Sequence, residues 1–210
     1  MFEFFTRGGP VMYPLLVCSL ISLTIVIERI LFWVRQGANR DRKRLDEVLD
    51  AVGQGDPDAA LERAKGSEDS IVKVIRYGLE HHAVSRVAAL EMAAGDAIDR
   101  MKRGLPILDT IITMAPLLGI LGTVMGIIES FDLLGQSGIE DPKAVTGGIA
   151  QALITTAAGL TVALITLVPY NYLLTRVDRA VHDMEKYITS LEIYCQQGEM
   201  EKFKRSQAAE

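Results

Sequence analysis

The chain has 210 residues, 49% of them hydrophobic and 23% charged, with a mean hydropathy of +0.22. That mixture fits neither an ordinary water-soluble domain nor a chain buried wholly in lipid; it fits a few membrane spans joined to a charged, water-facing portion. A formal net charge of −5 gives no electrostatic basis for nucleic-acid binding, and the two cysteines, Cys18 and Cys195, suggest neither a disulfide framework nor a metal cluster.

The first apolar run goes from Pro10 to Ile27, is interrupted by Glu28-Arg29, and resumes from Ile30 to Val34. A span needs roughly 20 apolar residues to cross the hydrocarbon core. This run is longer than a typical signal-peptide core, lacks a basic lead-in, and ends in charge rather than at a small-residue cleavage site. Residues 1–34 are therefore expected to be a periplasmic N-terminus and a retained first transmembrane helix, with Phe32 and Trp33 at the interface.

Residues 35–104 read as a cytoplasmic helical domain. A basic run (Arg35, Arg40, Arg42, Lys43, Arg44) leads into a short helix, and Gly53-Gln-Gly-Asp-Pro57 marks a turn, with Asp56 or Asp58 able to cap the next helix. Gly66-Ser67 predicts a break before a helix over Ile71 to Leu79. From Val87 the apolar positions run Leu90, Ala94, Ile98, Met101, Leu105 and Leu108, steps of three and four that predict one helix stripe passing uninterrupted into the membrane.

The second span covers Leu105 to Ile128 and the third Gly148 to Leu174, so 105–174 is expected to hold both spans with a short periplasmic loop at 129–147. That loop carries Glu129, Asp132, Glu140 and Asp141 against a single Lys143, whereas the other flanks are basic: Arg100, Lys102 and Arg103 before the second span, Arg176 and Arg179 after the third. Lys and Arg accumulate on the cytoplasmic side. All flanks then agree on a multi-pass protein with its N-terminus outside and its C-terminus in the cytoplasm.

The third span is threaded with Gln151, Thr155, Thr156, Thr161 and Thr166, a polar load that lipid alone would not favour. Gln151, Thr155, Val162, Thr166 and Pro169 share one helical face; on the second span Asp109, Thr113, Pro116, Thr123 and Ile127 do likewise. Gly119, Gly122, Gly126 and Gly159, with Ala157 and Ala158, let backbones approach. A single threonine in a membrane helix most often bonds the carbonyl one turn back, but two spans each polar on one face point to a lumen. Asp109 sits near the cytoplasmic end, where a charged group can reach water. Beyond the third span, residues 175–210 form a cytoplasmic C-terminal helix and tail with a coiled-coil-like stripe of Val177, Val181, Met184, Ile188, Leu191 and Cys195, fraying from Lys202. The stripe fits an internal packing face or a subunit interface equally well. The fold class is an all-α membrane protein of three transmembrane helices, the second and third extended into the cytoplasm as a helical stalk.

The segment Ala115-Pro-Leu-Leu-Gly-Ile-Leu-Gly-Thr-Val-Met-Gly-Ile-Ile-Glu-Ser-Phe131 closely resembles the second-span signature of the ExbB/TolQ/MotA ion-channel family. Gly148 to Leu160, followed by Val168-Pro-Tyr-Asn171, is similar to its third-span signature, and the Ile27-Glu-Arg29 ending of the first span fits as well. The resemblance covers nearly the whole chain and is closest to the ExbB/TolQ branch. It implies a homo-oligomeric ring, pentameric in the family, around two helices of an ExbD/TolR-like single-span partner. Ion passage along the lumen would drive that partner and, through a TonB/TolA-like protein, an envelope process such as outer-membrane transport. Thr123 and Thr156 match the family's lumen-lining threonines, and Gln151 and Thr155 join them as ion-pathway candidates. Many family members carry glutamate at the Gln151 position; an amide orients water but cannot exchange a proton. The titrating group would then be an aspartate on the partner helix, or the ion would be sodium, bound by hydroxyls and carbonyls, or the chain would be inactive.

His81, His82 and His182 lack any ligand spacing and read as solvated surface, so no metal or other cofactor is expected. No phosphate loop, nucleophile elbow or zinc-protease helix appears, so an enzyme is not expected. Three spans leave no room for the inverted repeat of a solute transporter. The rival is a passive scaffold that anchors periplasmic proteins without ion coupling.

Overall fold

Helix starts and stops along this chain have identifiable causes, and in a computed structural model they divide the described residues, 8–137 and 142–208, into seven helices with no strand among them. Helix α1, Met12–Ala38, follows the Gly9–Pro10 turn and runs straight through Glu28-Arg29, which pair with each other while Arg29 stays 3% exposed. Three short helices follow, each begun by an aspartate whose carboxylate accepts an orphan amide of the first turn. Asp41 caps α2 (Arg42–Gly53), Asp56 caps α3 (Pro57–Ala64) and Asp69 caps α4 (Ser70–Glu80). Pro57 stands at the start of α3, where its missing N–H costs nothing. Helix α5, His82–Lys102, is kinked at Ser85, whose extended backbone and hydroxyl, accepting from the Ala88 amide at 3.3 Å, cap the part beyond it.

Helix α6 spans Leu105–Ser137 and α7 spans Pro142–Ala208. The apolar stripe expected to enter the membrane without interruption keeps its register, since Leu90, Ala94, Met101, Leu105 and Leu108 are all buried, but the helix itself breaks. Arg103 leaves helical geometry and Gly104, at φ +82°, takes a left-handed conformation that only glycine adopts freely. The loop expected over 129–147 is also largely helix, through Ser137 and again from Pro142. Residues without strong breakers continue a helix past its apolar run; Glu140 and Asp141 lie outside the described residues. The fraying expected from Lys202 gives way to a helix that continues to Ala208.

Packing sorts the chain into two units, one from Met1–Ile30 and Gly104–Leu174, the other from Leu31–Arg103 and Thr175–Glu210. In the second, α2 to α5 pack on one another and bury Leu45, Val48, Val72, Ile75 and Leu90. Gly198 of α7 sits so close to α2 that a Cβ there would come within 2.6 Å of the Val52 carbonyl. The C-terminal stripe is an internal packing face: Val177, Met184, Leu191 and Cys195 are buried within the chain. Arg40 donates to Asp183 at 2.6 Å, and Gln36 donates to the Ser70 hydroxyl at 2.6 Å. His81 ends α4 and stacks on Tyr77 with ring centroids 4.2 Å apart.

In the first unit, Val11 and Leu15 of α1 meet Ala115 of α6 and Ala163 of α7. Around this small core, three helices are long and apolar enough to cross a membrane, and they turn Leu16, Leu20, Leu117, Ile120, Leu164, Ile165 and Val168 outward. That much exposed aliphatic surface is stable only against lipid or another apolar surface. The protein is an all-α membrane protein.

Candidate functional site

The seam between α6 and α7 is built by small residues. A Cβ on Gly119 would lie 3.1 Å from Thr156 Cα; on Gly122, 2.3 Å from Thr155 Cγ2; on Gly126, 2.9 Å from the Gly148 carbonyl; and on Gly159, 2.5 Å from the Ala115 carbonyl. The backbones therefore approach as closely as small-residue membrane packing allows. Ser130 completes the far end, donating to the Gly126 carbonyl at 2.8 Å while buried beside Gly148.

This closeness brings Thr123 and Thr156 hydroxyl to hydroxyl. Thr123 Oγ1 also lies 3.2 Å from both the Gly119 and Ala152 carbonyls, and Thr156 Oγ1 lies 3.1 Å from the Gly119 carbonyl. Each hydroxyl has one proton to donate. If Thr123 donates to Thr156, Thr156 donates to Gly119; in the reverse case Thr123 donates to a carbonyl. Both donors are consumed either way, and what remains on this half-exposed pair is oxygen lone pairs. Such a surface welcomes a cation or a donating water and offers nothing to an anion.

The other expected site residues separate. Thr155 is 0% exposed, and its hydroxyl lies 2.7 Å from the Gly8 carbonyl and 2.8 Å from the Gln151 carbonyl, which share its single proton. Gln151 is half-buried and lines a cavity of about 250 Å3 with Pro10, Met125, Ile128, Glu129 and Asp132. Thr113, Thr161 and Thr166 bond carbonyls three or four residues back within their own helices, at 2.9, 2.7 and 2.8 Å. Those bonds satisfy the hydroxyls without a second helix.

Two features escaped the reading by helical faces. Asp109 lies close enough to Tyr170 of α7 to act on its hydroxyl. Asp109 stands fourteen residues before Thr123, and Tyr170 fourteen after Thr156, so one antiparallel register places both pairs; matching the polar positions of the two spans by equal offsets would have found it. The Gly8–Pro10 turn, which brings backbone to Gln151 and Thr155, left no periodic signal. Among the described residues no three His, Cys, Asp or Glu side chains gather as metal ligands.

Comparison with known proteins places the chain among named relatives. The MotA/TolQ/ExbB proton channel family matches residues 67–186, more than half of the chain. The protein called ExbB-like 1 of Synechocystis sp. is 38% identical over 181 residues, covering 81% of this chain and 69% of its own. The biopolymer transport protein exbB1 of Vibrio cholerae is 27% identical over 194 residues, 89% of this chain and 84% of its own. The Tol-Pal system protein TolQ of Haemophilus influenzae is 34% identical over 100 residues, 48% and 44% of the two chains. Such proteins are channel and transport subunits with a general role in energy-transducing transport. By that match and that identity, this chain belongs to the MotA/TolQ/ExbB proton channel family.

Proposed function

We propose that this chain is the ring-forming inner-membrane subunit of an ion-driven motor of the ExbB/TolQ kind. The observation that carries the reading is the Thr123–Thr156 pair, which joins two membrane helices through hydroxyls that keep only acceptor capacity. A ring of such pairs, five in a homopentamer, would give a cation path ringed by oxygen. An ExbD/TolR-like single-span partner inside the ring supplies the moving part, and a TonB/TolA-like protein carries the work to an envelope process such as outer-membrane transport. The relatives' designations as biopolymer transport and Tol-Pal proteins support this assignment. The basic flanks of the spans support an N-terminus in the periplasm and a C-terminus in the cytoplasm.

Gln151 stands where the path needs a polar group but cannot exchange a proton. The titrating carboxylate is then an aspartate of the partner helix, or the ion is sodium. A second reading, a passive scaffold, draws on one observation: every hydroxyl placed on the seam is satisfied within the chain. Flux through proteoliposomes that hold this chain with its cognate partner, under an imposed potential, separates the readings. The motor predicts proton flux lost on replacing the partner's membrane aspartate, or else flux that requires sodium. It also predicts that Thr123→Val and Thr156→Val abolish coupled activity while the complex stays assembled. A scaffold tolerates both substitutions.

A further inference from the structure

The N-terminal residues Gly8, Gly9 and Pro10 form a turn that does more than start α1. The Met12 amide donates to the Gly9 carbonyl at 3.2 Å and the Tyr13 amide to the Pro10 carbonyl at 3.2 Å, so the turn is continuous with the helix. Val11 and Leu15, buried against Ala115 and Ala163, fix that helix in place. On its other side the turn meets α7. The Gly8 carbonyl accepts the Thr155 hydroxyl at 2.7 Å, across 147 residues of sequence, at a position with no exposure. Gly9 holds φ +72°, and a Cβ there would lie 2.3 Å from Gln151 Nε2 and 2.9 Å from its Cδ.

One constraint demands glycine at position 9, its left-handed backbone; the Gln151 amide, the movable end of a flexible side chain, also occupies the space a Cβ would take and would have to swing aside. Pro10 adds a third contact, forming one wall of the cavity whose other walls include Gln151, Glu129 and Asp132. A glutamine side chain carries three rotatable bonds and both donors and acceptors. Backbone pressed against its amide removes part of that freedom.

We propose that the Gly8–Pro10 turn is a latch on the ion path, in which Gly9 and Thr155 are positioning residues that hold the Gln151 side chain against the wall it shares with Glu129 and Asp132. The latch makes cation entry at this end depend on the N-terminal segment of the same chain. It rests on the reading of Gln151 as a pathway residue, and Thr155, also expected on the pathway, becomes the tie that fastens the turn.

The latch makes a demand on coupling that plain packing does not. In proteoliposomes with the cognate partner, Gly9→Ala and Thr155→Val should each raise several-fold the external cation concentration that half-saturates flux, with maximal flux and assembled complex unchanged. Thr155→Ser, which keeps the hydroxyl, should restore the wild-type value. With Gln151→Ala already present, Gly9→Ala should cause a clearly smaller further rise, because only the strain of its left-handed backbone then remains. Full additivity of the two substitutions, or a wild-type half-saturation in Gly9→Ala, overturns the proposal.

A readout without flux keeps the latch separate from the motor. A Cβ on Gly8 would lie 3.5 Å from Ile154 Cγ2 and 2.4 Å from Met12 Cγ, so Gly8→Cys with Ile154→Cys and Met12→Ala, in a chain lacking Cys18 and Cys195, should cross-link on mild oxidation and do so less in Thr155→Val. Cross-linking without wild-type flux of protons or sodium would uphold the latch and sink the motor. Flux without cross-linking would sink the latch and leave the motor.

Discussion

At Thr123 and Thr156 a hydroxyl is exchanged for a methyl of the same size when valine is introduced, so the packing of the seam survives. Hydrogen bonds between membrane helices contribute on average only about 0.6 kcal/mol, and Thr123 keeps two carbonyls within 3.2 Å after Thr156→Val. The variant should therefore purify as an intact complex with thermal stability close to wild type. Loss of assembly in Thr156→Val would mean that the pair is structural. Thr155→Val is expected to be costlier, because the buried Gly8 carbonyl loses its donor, and an unsatisfied buried group costs roughly 1–3 kcal/mol. In the other unit, Arg40 and Asp183 are each one-third exposed in their side chains. Burial disfavours the Arg40 charge, but the hydrogen bond and charge of Asp183, helped by Asp69, outweigh it and hold the guanidinium above its ordinary range. Water screens so exposed a pair, so Asp183→Asn should lower stability by about 1 kcal/mol at most, as measured by thermal unfolding in detergent.

Helices α6 and α7 depend on their glycines in a way that α5 does not. Gly95 of α5 has nothing within 4 Å of the place a Cβ would occupy. Gly95→Ala should stabilise the protein by roughly 0.5–1 kcal/mol, the helix-propensity difference alone. Gly159→Ala sits in an equally regular helix but would drive a methyl to 2.5 Å from the Ala115 backbone carbonyl. Backbone cannot step aside as a flexible side chain can, so the helices must separate and the Thr123–Thr156 pair opens. A melting temperature raised by Gly95→Ala and lowered by Gly159→Ala is the expected contrast; equal shifts would contradict the close seam. The same elements show what could be read in advance. Apolar length gave the three spans, and Asp56 with Pro57 announced α3, because caps and hydrophobic period are local physics. The break at Gly104 was invisible, since the apolar stripe continues across it. Thr123 and Thr156 were singled out together only by the resemblance, since the polar face of the third span held Thr155 and not Thr156, and which hydroxyl met which depended on helix register. Thr155 shared the expected face yet turned out buried against Gly8, because the face of a helix does not say what covers it.

For the whole molecule, the distribution of charge against the bilayer is the property with the clearest consequence. Arg35, Arg40, Arg42, Lys43 and Arg44 follow the first span, Arg100, Lys102 and Arg103 precede the second, and Arg176 and Arg179 follow the third. Glu129 and Asp132, both exposed, stand at the opposite end of the second span. Moving the basic clusters outward would bring three groups of Lys and Arg across the membrane against the bias that retains them in the cytoplasm. Two substitutions test the orientation, since Glu62 and Asp132 are exposed and neither belongs to the seam's hydroxyl pair. In a chain lacking Cys18 and Cys195, Asp132→Cys should react with a membrane-impermeant maleimide in spheroplasts, while Glu62→Cys should react only after the membrane is opened. The reverse pattern would turn the molecule over, placing the Gly8–Pro10 turn and the cavity beside Gln151 on the cytoplasmic side. An inward-flowing cation would then meet the Asp109–Tyr170 end of the seam first, and the order of stations along the path would be inverted.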